Sequence, residues 1–161
     1  TNATSQYLTC RLGDEIFAME IFKVREVLEY RSVTRVPRTP PFMRGVINLR
    51  GNVVPVVDLN KKFGTGATEI GVDTCIVITE VAIEGESYQL GALADAVDEV
   101  FDMDADAIEP PPRTGMGMDA DFIKGMGRRE EGFVIGLDAD RVFGAEEALT
   151  ARQAHDVSTP S

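Results

Sequence analysis

The stretch "RGVINLRGNVVPVVDL", residues 44–59, decides the fold. Its two arms are mostly apolar and β-branched, and Gly51-Asn52 between them suits a tight reversed turn, so the stretch predicts a β-hairpin with Arg50 at its tip. Pro55 cannot donate a ladder hydrogen bond, which predicts that the second arm lies at a sheet edge or at a bulge. Since this arm is apolar on both faces, we expect one face on a core and the other against a second layer or a partner.

The hairpin region recurs later in the chain. Residues 42–64 and 122–144 align without a gap at an offset of 80, and KVREVL (23–28) matches AVDEVF (96–101) at an offset of 73. The identical pairs in the longer block are Phe42/Phe122, Gly45/Gly125, Val54/Val134, Asp58/Asp138, Phe63/Phe143 and Gly64/Gly144. The order of the blocks is preserved, so the sequence predicts two copies of one β-unit.

Each copy contains about five predicted strands, which is typical of a small closed barrel. We therefore predict a mainly β fold of two five-stranded β-barrel subdomains with short helices and a C-terminal helix. The predicted boundaries are a first barrel at 7–64, a linker at 65–73, a second barrel at 74–144, a C-terminal helix at 145–154 and a disordered tail at 155–161. Several strands are apolar on both faces, so their surplus faces are expected to meet between the barrels and to leave an apolar groove where closure is incomplete.

The repeat also predicts how each hairpin ends. Asp58 and Asp138 are placed to cap a short helix by accepting its free amides, while Gly64 and Gly144 can supply a left-handed exit. The phenylalanines of the two blocks are expected to anchor each helix to its barrel.

Length and composition favour an ordinary soluble chain. The 161 residues suffice for one domain or for two small barrels that share a boundary. Cys10 and Cys75 lie in apolar runs and are expected to pack as small hydrophobes, which makes a reducing cytoplasm the default. No leader is recognisable, and no apolar run approaches the roughly 18 residues of a membrane span, so we expect no direct membrane insertion.

Charge is distributed unevenly along the chain. The net charge is −11, yet residues 21–62 carry nine basic side chains against three acidic ones, a net charge of +6, which leaves −17 for the remainder. This asymmetry favours steered encounter with an acidic surface or head-to-tail contact with a relative of the chain itself. A solvated basic face is the alternative interpretation.

The sequence offers little that could perform catalysis. Its one histidine, His155, lies in the predicted tail, so hydrolase arrangements lack a base. The series Asp102, Asp104 and Asp106 resembles the start of a calcium loop, but alanine and arginine stand at the sixth and twelfth positions, which require glycine and glutamate. No phosphate-binding or dinucleotide motif is present. We therefore predict a protein that is not an enzyme and has no metal or cofactor.

Nucleic-acid binding is the alternative of a different class. Small barrels often bind nucleic acid, and residues 21–62 are basic. Few aromatics are available there for stacking on bases, and the whole chain is strongly acidic. We expect no nucleic-acid partner and keep a nucleic-acid-binding barrel protein as the runner-up.

Three motifs together resemble the CheW family of chemotaxis adaptors. They are V-x-E-V at Val24–Val27, T-P-x-F-x-x-G at Thr39–Gly45 and N-L-R-G-x-x-x-P-V-x-D-L at Asn48–Leu59, and the similarity extends from Tyr7 to Phe143. Members are similar to a pair of five-stranded barrels with a hydrophobic core between them, in agreement with the repeat. The family bridges transmembrane chemoreceptors to the histidine kinase CheA, whose regulatory domain has the same double-barrel fold.

The resemblance implies partners and surfaces. The implied partners are the CheA regulatory domain and the cytoplasmic hairpin of a methyl-accepting chemoreceptor, in a cytoplasmic array close to the membrane. The implied kinase and receptor coupling surface, hereafter the coupling surface, comprises Val24, Glu26, Val27, Arg50 and Gly51. The implied receptor groove comprises Cys75, Gly91 and Val97, although many relatives have an aliphatic residue in place of Cys75.

Each assignment has a structural alternative. Val24 and Val27 could simply be core, the glycines could reflect backbone needs, and Arg50 could be solvated. The same module could also serve a kinase pathway other than chemotaxis. The sequence leaves open which receptor is coupled and how the two barrels exchange strands.

Overall fold

The computed structural model describes residues 4–13, 15–64, 66–104, 122–129, 132–144 and 147–150. These residues form ten strands: β1 (Thr4–Leu12), β2 (Glu15–Glu20), β3 (Val24–Glu29), β4 (Met43–Leu49), β5 (Asn52–Asp58), β6 (Cys75–Ile83), β7 (Glu86–Ala94), β8 (Ala96–Asp104), β9 (Ile123–Arg129) and β10 (Gly132–Leu137). The two short helices are α1 (Leu59–Lys62) and α2 (Ala139–Val142). Residues 147–150 are helical, while the rest of the predicted C-terminal helix and the predicted tail lie outside the described residues.

The strands form two five-stranded sheets, which confirms the mainly β prediction. Sheet 1 has the order β8-β1-β2-β10-β9 and sheet 2 the order β3-β6-β7-β5-β4. Each sheet therefore combines the first two strands of one repeat with the last three of the other, and the chain crosses between sheets at the 3-10 turn Ile21–Lys23 and at Asp95. The predicted linker at 65–73 consequently separates the repeats, not the sheets.

The exchange of strands follows from two parallel pairs. β2 pairs with β10 and β5 pairs with β7 in parallel, while the other neighbours are antiparallel. Parallel strands cannot be joined by a tight hairpin, so neither pair consists of consecutive strands. In each pair one strand, β2 or β5, belongs to the first repeat and the other, β10 or β7, to the second.

Pro55 is predicted at a sheet edge or at a bulge, and the edge position is wrong because Pro55 lies in an interior strand. The β4–β5 ladder does have a register shift between Met43 and Gly45, close to the pair Val46–Pro55. β5 has β4 on one side and β7 on the other. The ladder to β7 includes only Val56, Val57 and Asp58, which leaves Pro55 just outside it. The missing N–H of the proline therefore removes no bond from that ladder.

The sheets resemble small barrels, but they are not the fully closed barrels that the sequence predicts. Among the described residues no ladder joins β8 to β9 or β3 to β4. In sheet 2 the segment after β3 partly fills the gap, because Thr34 N donates to Val46 O at 2.9 Å and Val46 N donates to Thr34 O at 2.8 Å. Gly45 permits this approach, since a Cβ atom there would lie 2.4 Å from Thr34 O.

Three hydrophobic clusters hold the molecule together. The largest lies between the sheets and includes Phe17 of sheet 1 and Val57 of sheet 2. The second cluster lies inside sheet 2 and includes Val54 and Val56, and the third lies inside sheet 1 around Tyr7. β5 thus buries one face in its own sheet and the other between the sheets, which confirms the prediction for strands that are apolar on both faces.

The short helices differ between the repeats. Asp58 Oδ1 accepts a hydrogen bond from Lys61 N at 3.3 Å, and Gly64 has the positive φ of 81° expected of a left-handed exit. The Asp138 side chain forms no capping hydrogen bond and instead pairs with Arg141 at 3.6 Å, and Gly144 is not in the left-handed region. The capping prediction is therefore confirmed for the first repeat and wrong for the second.

Both cysteines are free thiols. Cys10 is buried, and this burial, reinforced by the charges of Asp98 and Asp95 and by Cys75, raises its pKa to about 12. Cys75 is half-buried at the start of β6. In the part of the chain that the structure describes, the helices are all too short or too polar to cross a membrane.

Candidate protein-interaction surface

The β4–β5 turn places Arg50 at its tip, as predicted. β4 ends at Leu49 and β5 begins at Asn52, so the turn residues are Arg50-Gly51 and not the predicted Gly51-Asn52. Arg50 has φ 51° and Gly51 has φ 88°, the positive values of the type I′ turn that matches the twist of two paired strands. Asn48 Oδ1 fixes the turn by accepting a hydrogen bond from Gly51 N at 2.9 Å.

Arg50 is paired, although 69% of its side chain is exposed. Its two terminal nitrogens donate to the two carboxylate oxygens of Glu26 on β3, one of them at 3.4 Å. These hydrogen bonds and the charge of Glu26 raise the pKa of the guanidinium. A forked pair fixes the plane of a guanidinium, and the outer N–H groups remain available to a second acceptor.

The members of the coupling surface outside the turn, Val24, Glu26 and Val27, lie on β3, which the Arg50–Glu26 pair links to the β4–β5 turn. β3 is an edge strand of sheet 2 with a register shift between Val24 and Glu26. Val27 is 40% exposed, whereas Val24 is half-buried against the cluster between the sheets. The structure thus pairs Glu26 with Arg50 at the surface and exposes Val27 on β3, while Val24 and Gly51 shape the strand and the turn.

The second repeat has an equivalent edge on β8. Val97 and Val100 occupy the positions of Val24 and Val27, and Val100 is also exposed. The charges differ, because Asp98 stands where β3 has Arg25. The two edges therefore share one pattern of valines and carry opposite charges at the equivalent position.

The residues of the implied receptor groove do not form one surface. Cys75 and Val97 are both half-buried, and the Cys75 thiol is hydrogen-bonded with the Val97 backbone. Burial raises the pKa of this thiol, and the hydrogen bond lowers it by less. Gly91 is buried inside sheet 2, where a Cβ atom would lie 2.8 Å from Cγ2 of Ile76. Gly91 therefore provides close packing within the sheet and lines no open groove.

Several contacts at this surface were beyond sequence reasoning. The sequence named both Glu26 and Arg50, but nothing in a separation of 24 residues indicates their pairing. Likewise, it did not single out Asn48, which closes the turn, or Arg31, which donates to Asn48 O at 3.5 Å. Within the described residues no group of three or more His, Cys, Asp or Glu side chains could hold a metal.

Comparison with known proteins agrees with this architecture. Residues 6–147 match the model of the CheW-like domain. The chain is 32% identical to the chemotaxis protein CheW of Rhizobium meliloti, over 94% of this chain and 95% of the relative. It is 30% identical to the chemotaxis protein CheW of Klebsiella aerogenes, over 88% of this chain and 83% of the relative. A crystal structure of the scaffolding protein TtCheW from Thermoanaerobacter tengcongensis superposes with a TM-score of 0.78 at 35% identity, covering 88% of each chain. The chain therefore belongs to the family of proteins built on a CheW-like domain.

Proposed function

We propose that this protein is a non-catalytic chemotaxis scaffold that couples chemoreceptors to the histidine kinase CheA. The observation that carries the proposal is the exposed Arg50–Glu26 pair, together with the exposed Val27 that follows Glu26 in β3, in the segments that the family motifs occupy. An exposed arginine held in one orientation and an adjacent apolar side chain are the kinds of group that anchor protein interfaces.

The kinase contact uses the coupling surface. Arg50 offers its outer N–H groups to a carboxylate of the CheA regulatory domain, and Val27 contributes apolar area on β3. Two edges with equivalent valines and opposite charges suit a heterologous contact, in which one end of a double-barrel protein meets the other end of a relative. Electrostatic complementarity of this kind steers association and rejects wrong partners.

The receptor contact uses the region of Cys75 and Val97. Both residues are half-buried where strands of sheets 1 and 2 approach each other, and the cytoplasmic hairpin of a chemoreceptor would present apolar residues at helical spacing to that seam. Through these two contacts the protein takes its place in a cytoplasmic array close to the membrane.

Isothermal titration calorimetry against the regulatory domain of the cognate CheA tests the kinase contact. Arg50→Ala is expected to weaken binding at least tenfold with an unchanged thermal midpoint, because the side chain is exposed and the backbone of the turn is retained. Arg141→Ala, which removes an exposed arginine from the other repeat, is the matched control and should bind like the wild type. Intact binding by Arg50→Ala together with a lowered midpoint would contradict the assignment.

A kinase pathway other than chemotaxis is the second candidate. One relative is not named as a chemotaxis protein: the chain is 36% identical to Protein FrzA of Myxococcus xanthus, over 68% of this chain and 66% of that protein. Parallel titrations with the regulatory domains of all CheA-type kinases of the same organism discriminate the two: the preferred kinase identifies the pathway. Saturable, salt-dependent binding of single-stranded nucleic acid would instead favour the nucleic-acid alternative.

A further inference from the structure

A cavity of about 400 Å³ opens in sheet 2 between the start of β4, the segment that precedes it and α1. Its lining contains three basic side chains, Arg35, Arg44 and Lys61, and one acidic side chain, Asp58. Tyr30, Val33, Pro41 and Met43 complete the lining. The cavity lies near the opposite end of β4 from the Arg50 turn, roughly 20 Å away at about 3.4 Å per residue.

The three cations of this cavity lack ion-pair partners within the described part of the chain. The structure gives no ion pair to Arg35, Arg44 or Lys61 and no hydrogen bond from their side-chain nitrogens. Asp58 forms no ion pair with them, and its oxygens accept hydrogen bonds from Lys61 N at 3.3 Å, Thr68 N at 2.9 Å and Thr68 Oγ1 at 2.8 Å. Its carboxylate offsets one of the three positive charges, which leaves the lining a formal net charge of +2. The cavity is therefore cationic, in a chain whose net charge is −11.

The other repeat shows that these positions can be neutralised within the fold. Lys124 and Arg141 are the equivalents of Arg44 and Lys61 at the offset of 80. Lys124 pairs with Glu20 and Arg141 pairs with Asp138. In sheet 2 the aspartate equivalent to Asp138 is Asp58, which is hydrogen-bonded to Thr68 and forms no ion pair with Lys61. Arg44 likewise has no acid in the position that Glu20 takes beside Lys124 among the described residues.

We propose that this cavity binds a small multivalent oxyanion. Guanidinium groups bind phosphate and carboxylate oxygens through paired N–H donors, and an ammonium adds a third positive charge. The volume lies within the range of small-molecule sites and exceeds what one aspartate or glutamate side chain of a partner would fill. The ligand class is a compact anion with two or more negative charges, supplied by a phosphate ester or by a polycarboxylate.

Calorimetric titration of the full chain with pyrophosphate and with citrate, in phosphate-free buffer, tests the proposal. The expected result is saturable binding at one site, with NMR shift changes confined to amides of residues 33–44 and 58–61. Arg44→Gln and Lys61→Gln should each weaken binding at least tenfold. The matched controls, Lys124→Gln and Arg141→Gln, remove the same charge from the other repeat and should change it by less than about twofold. Lys61 is exposed, so its variant keeps the test valid if Arg44→Gln does not fold.

The outcomes separate the ligand sources and the proposals. Tight binding of pyrophosphate with little binding of citrate identifies a phosphate-bearing ligand, and the reverse identifies a polycarboxylate; either result supports the site. Absence of saturable binding, or equal losses in the control variants, overturns it. Neither result affects the kinase titrations, since Arg50 lies at the other end of β4.

Discussion

Lys62 of α1 and Glu147 of the helical residues 147–150 form a buried ion pair. Their side chains are 10% and 1% exposed, and Glu147 Oε1 also accepts a hydrogen bond from Gly144 N at 3.0 Å. The Lys62 ammonium lies 4.6 Å from the ring centre of Phe42, with the rings of Phe122 and Phe143 within 5.9 Å. Phe42 and Phe122 are equivalent in the repeat, whereas the position of Lys62 is occupied by Val142 in the second copy. One cation thus connects both repeats to the helical residues 147–150.

Replacing Lys62 alone should be strongly destabilising. Lys62→Met leaves the Glu147 carboxylate buried without its cation, and the expected loss is about 3–5 kcal/mol in the free energy of unfolding. The double variant Lys62→Met/Glu147→Leu removes both charges and should be more stable than Lys62→Met. Urea denaturation measures both. A loss below about 1 kcal/mol for the single variant would show that the pair is not structurally important.

The Arg50–Glu26 pair allows structure and recognition to be separated. The double variant Glu26→Arg/Arg50→Glu restores an ion pair of opposite polarity, so its thermal midpoint should equal that of the wild type. Its affinity for the CheA regulatory domain should stay at least tenfold weaker, because a carboxylate now stands at the tip of the turn. Recovery of full affinity in the double variant would mean that the pair acts only by shaping the turn.

Gly51 is required by its backbone conformation. At φ 88° a β-branched side chain is strained, so Gly51→Val should lower the free energy of unfolding by about 1–3 kcal/mol. Gly51→Asn should cost less, since asparagine tolerates the left-handed region. Valine at the adjacent strand position, Asn52→Val, serves as the control. Equal unfolding midpoints for Gly51→Val and Asn52→Val would count against the strained turn.

Gly91 is required by packing. A methyl group there would lie 2.8 Å from Ile76 Cγ2 and 3.4 Å from Val56 Cγ2, so Gly91→Ala should destabilise the protein by about 1–3 kcal/mol. Gly71→Ala is the control, because no atom lies within 4 Å of the new methyl group. Guanidinium denaturation of the two variants measures the difference. Indistinguishable curves would refute the close packing of Gly91 inside sheet 2.

Asp140 should contribute to the loss of stability in acid. Burial acts to raise its pKa, but hydrogen bonds from Lys23 at 2.9 Å and Ala82 N at 3.0 Å, with the charges of Lys23 and Lys124, outweigh it and lower the pKa. A group whose pKa is lowered by folding stabilises the protein above its unfolded pKa and loses that effect as the pH falls through the folded value. The stability advantage of the wild type over Asp140→Asn should therefore be full near neutrality and shrink below about pH 4.

Urea midpoints of the wild type and Asp140→Asn between pH 7 and pH 2 measure this effect. Asp102→Asn, at an exposed position of β8, provides the control for a carboxylate outside this network. An advantage of the wild type that stays constant down to pH 2 would contradict the role of Asp140.

The sequence by itself determined the strands, the repeat and the turn that carries Arg50. Runs that alternate in polarity, or that are apolar on both faces, predict strands directly. The turn at Arg50-Gly51 was located within one residue of its observed position. The family motifs then named Glu26, Val27 and Arg50; the structure pairs Glu26 with Arg50 and exposes Val27. These features are local, so propensity and pattern suffice to predict them.

Only the tertiary structure decided how the two repeats share their strands. The parallel pairing of β5 with β7 made β5 an interior strand despite Pro55, and it enclosed Gly91 behind Ile76 and Val56. Long-range pairing also brought Glu20 to Lys124, whereas its equivalent Arg44 has no ion-pair partner among the described residues. The pairing between strands from different repeats depends on which arrangement buries all of the doubly apolar faces at once. No local sequence pattern encodes this, because burial of all the faces is a property of the whole fold.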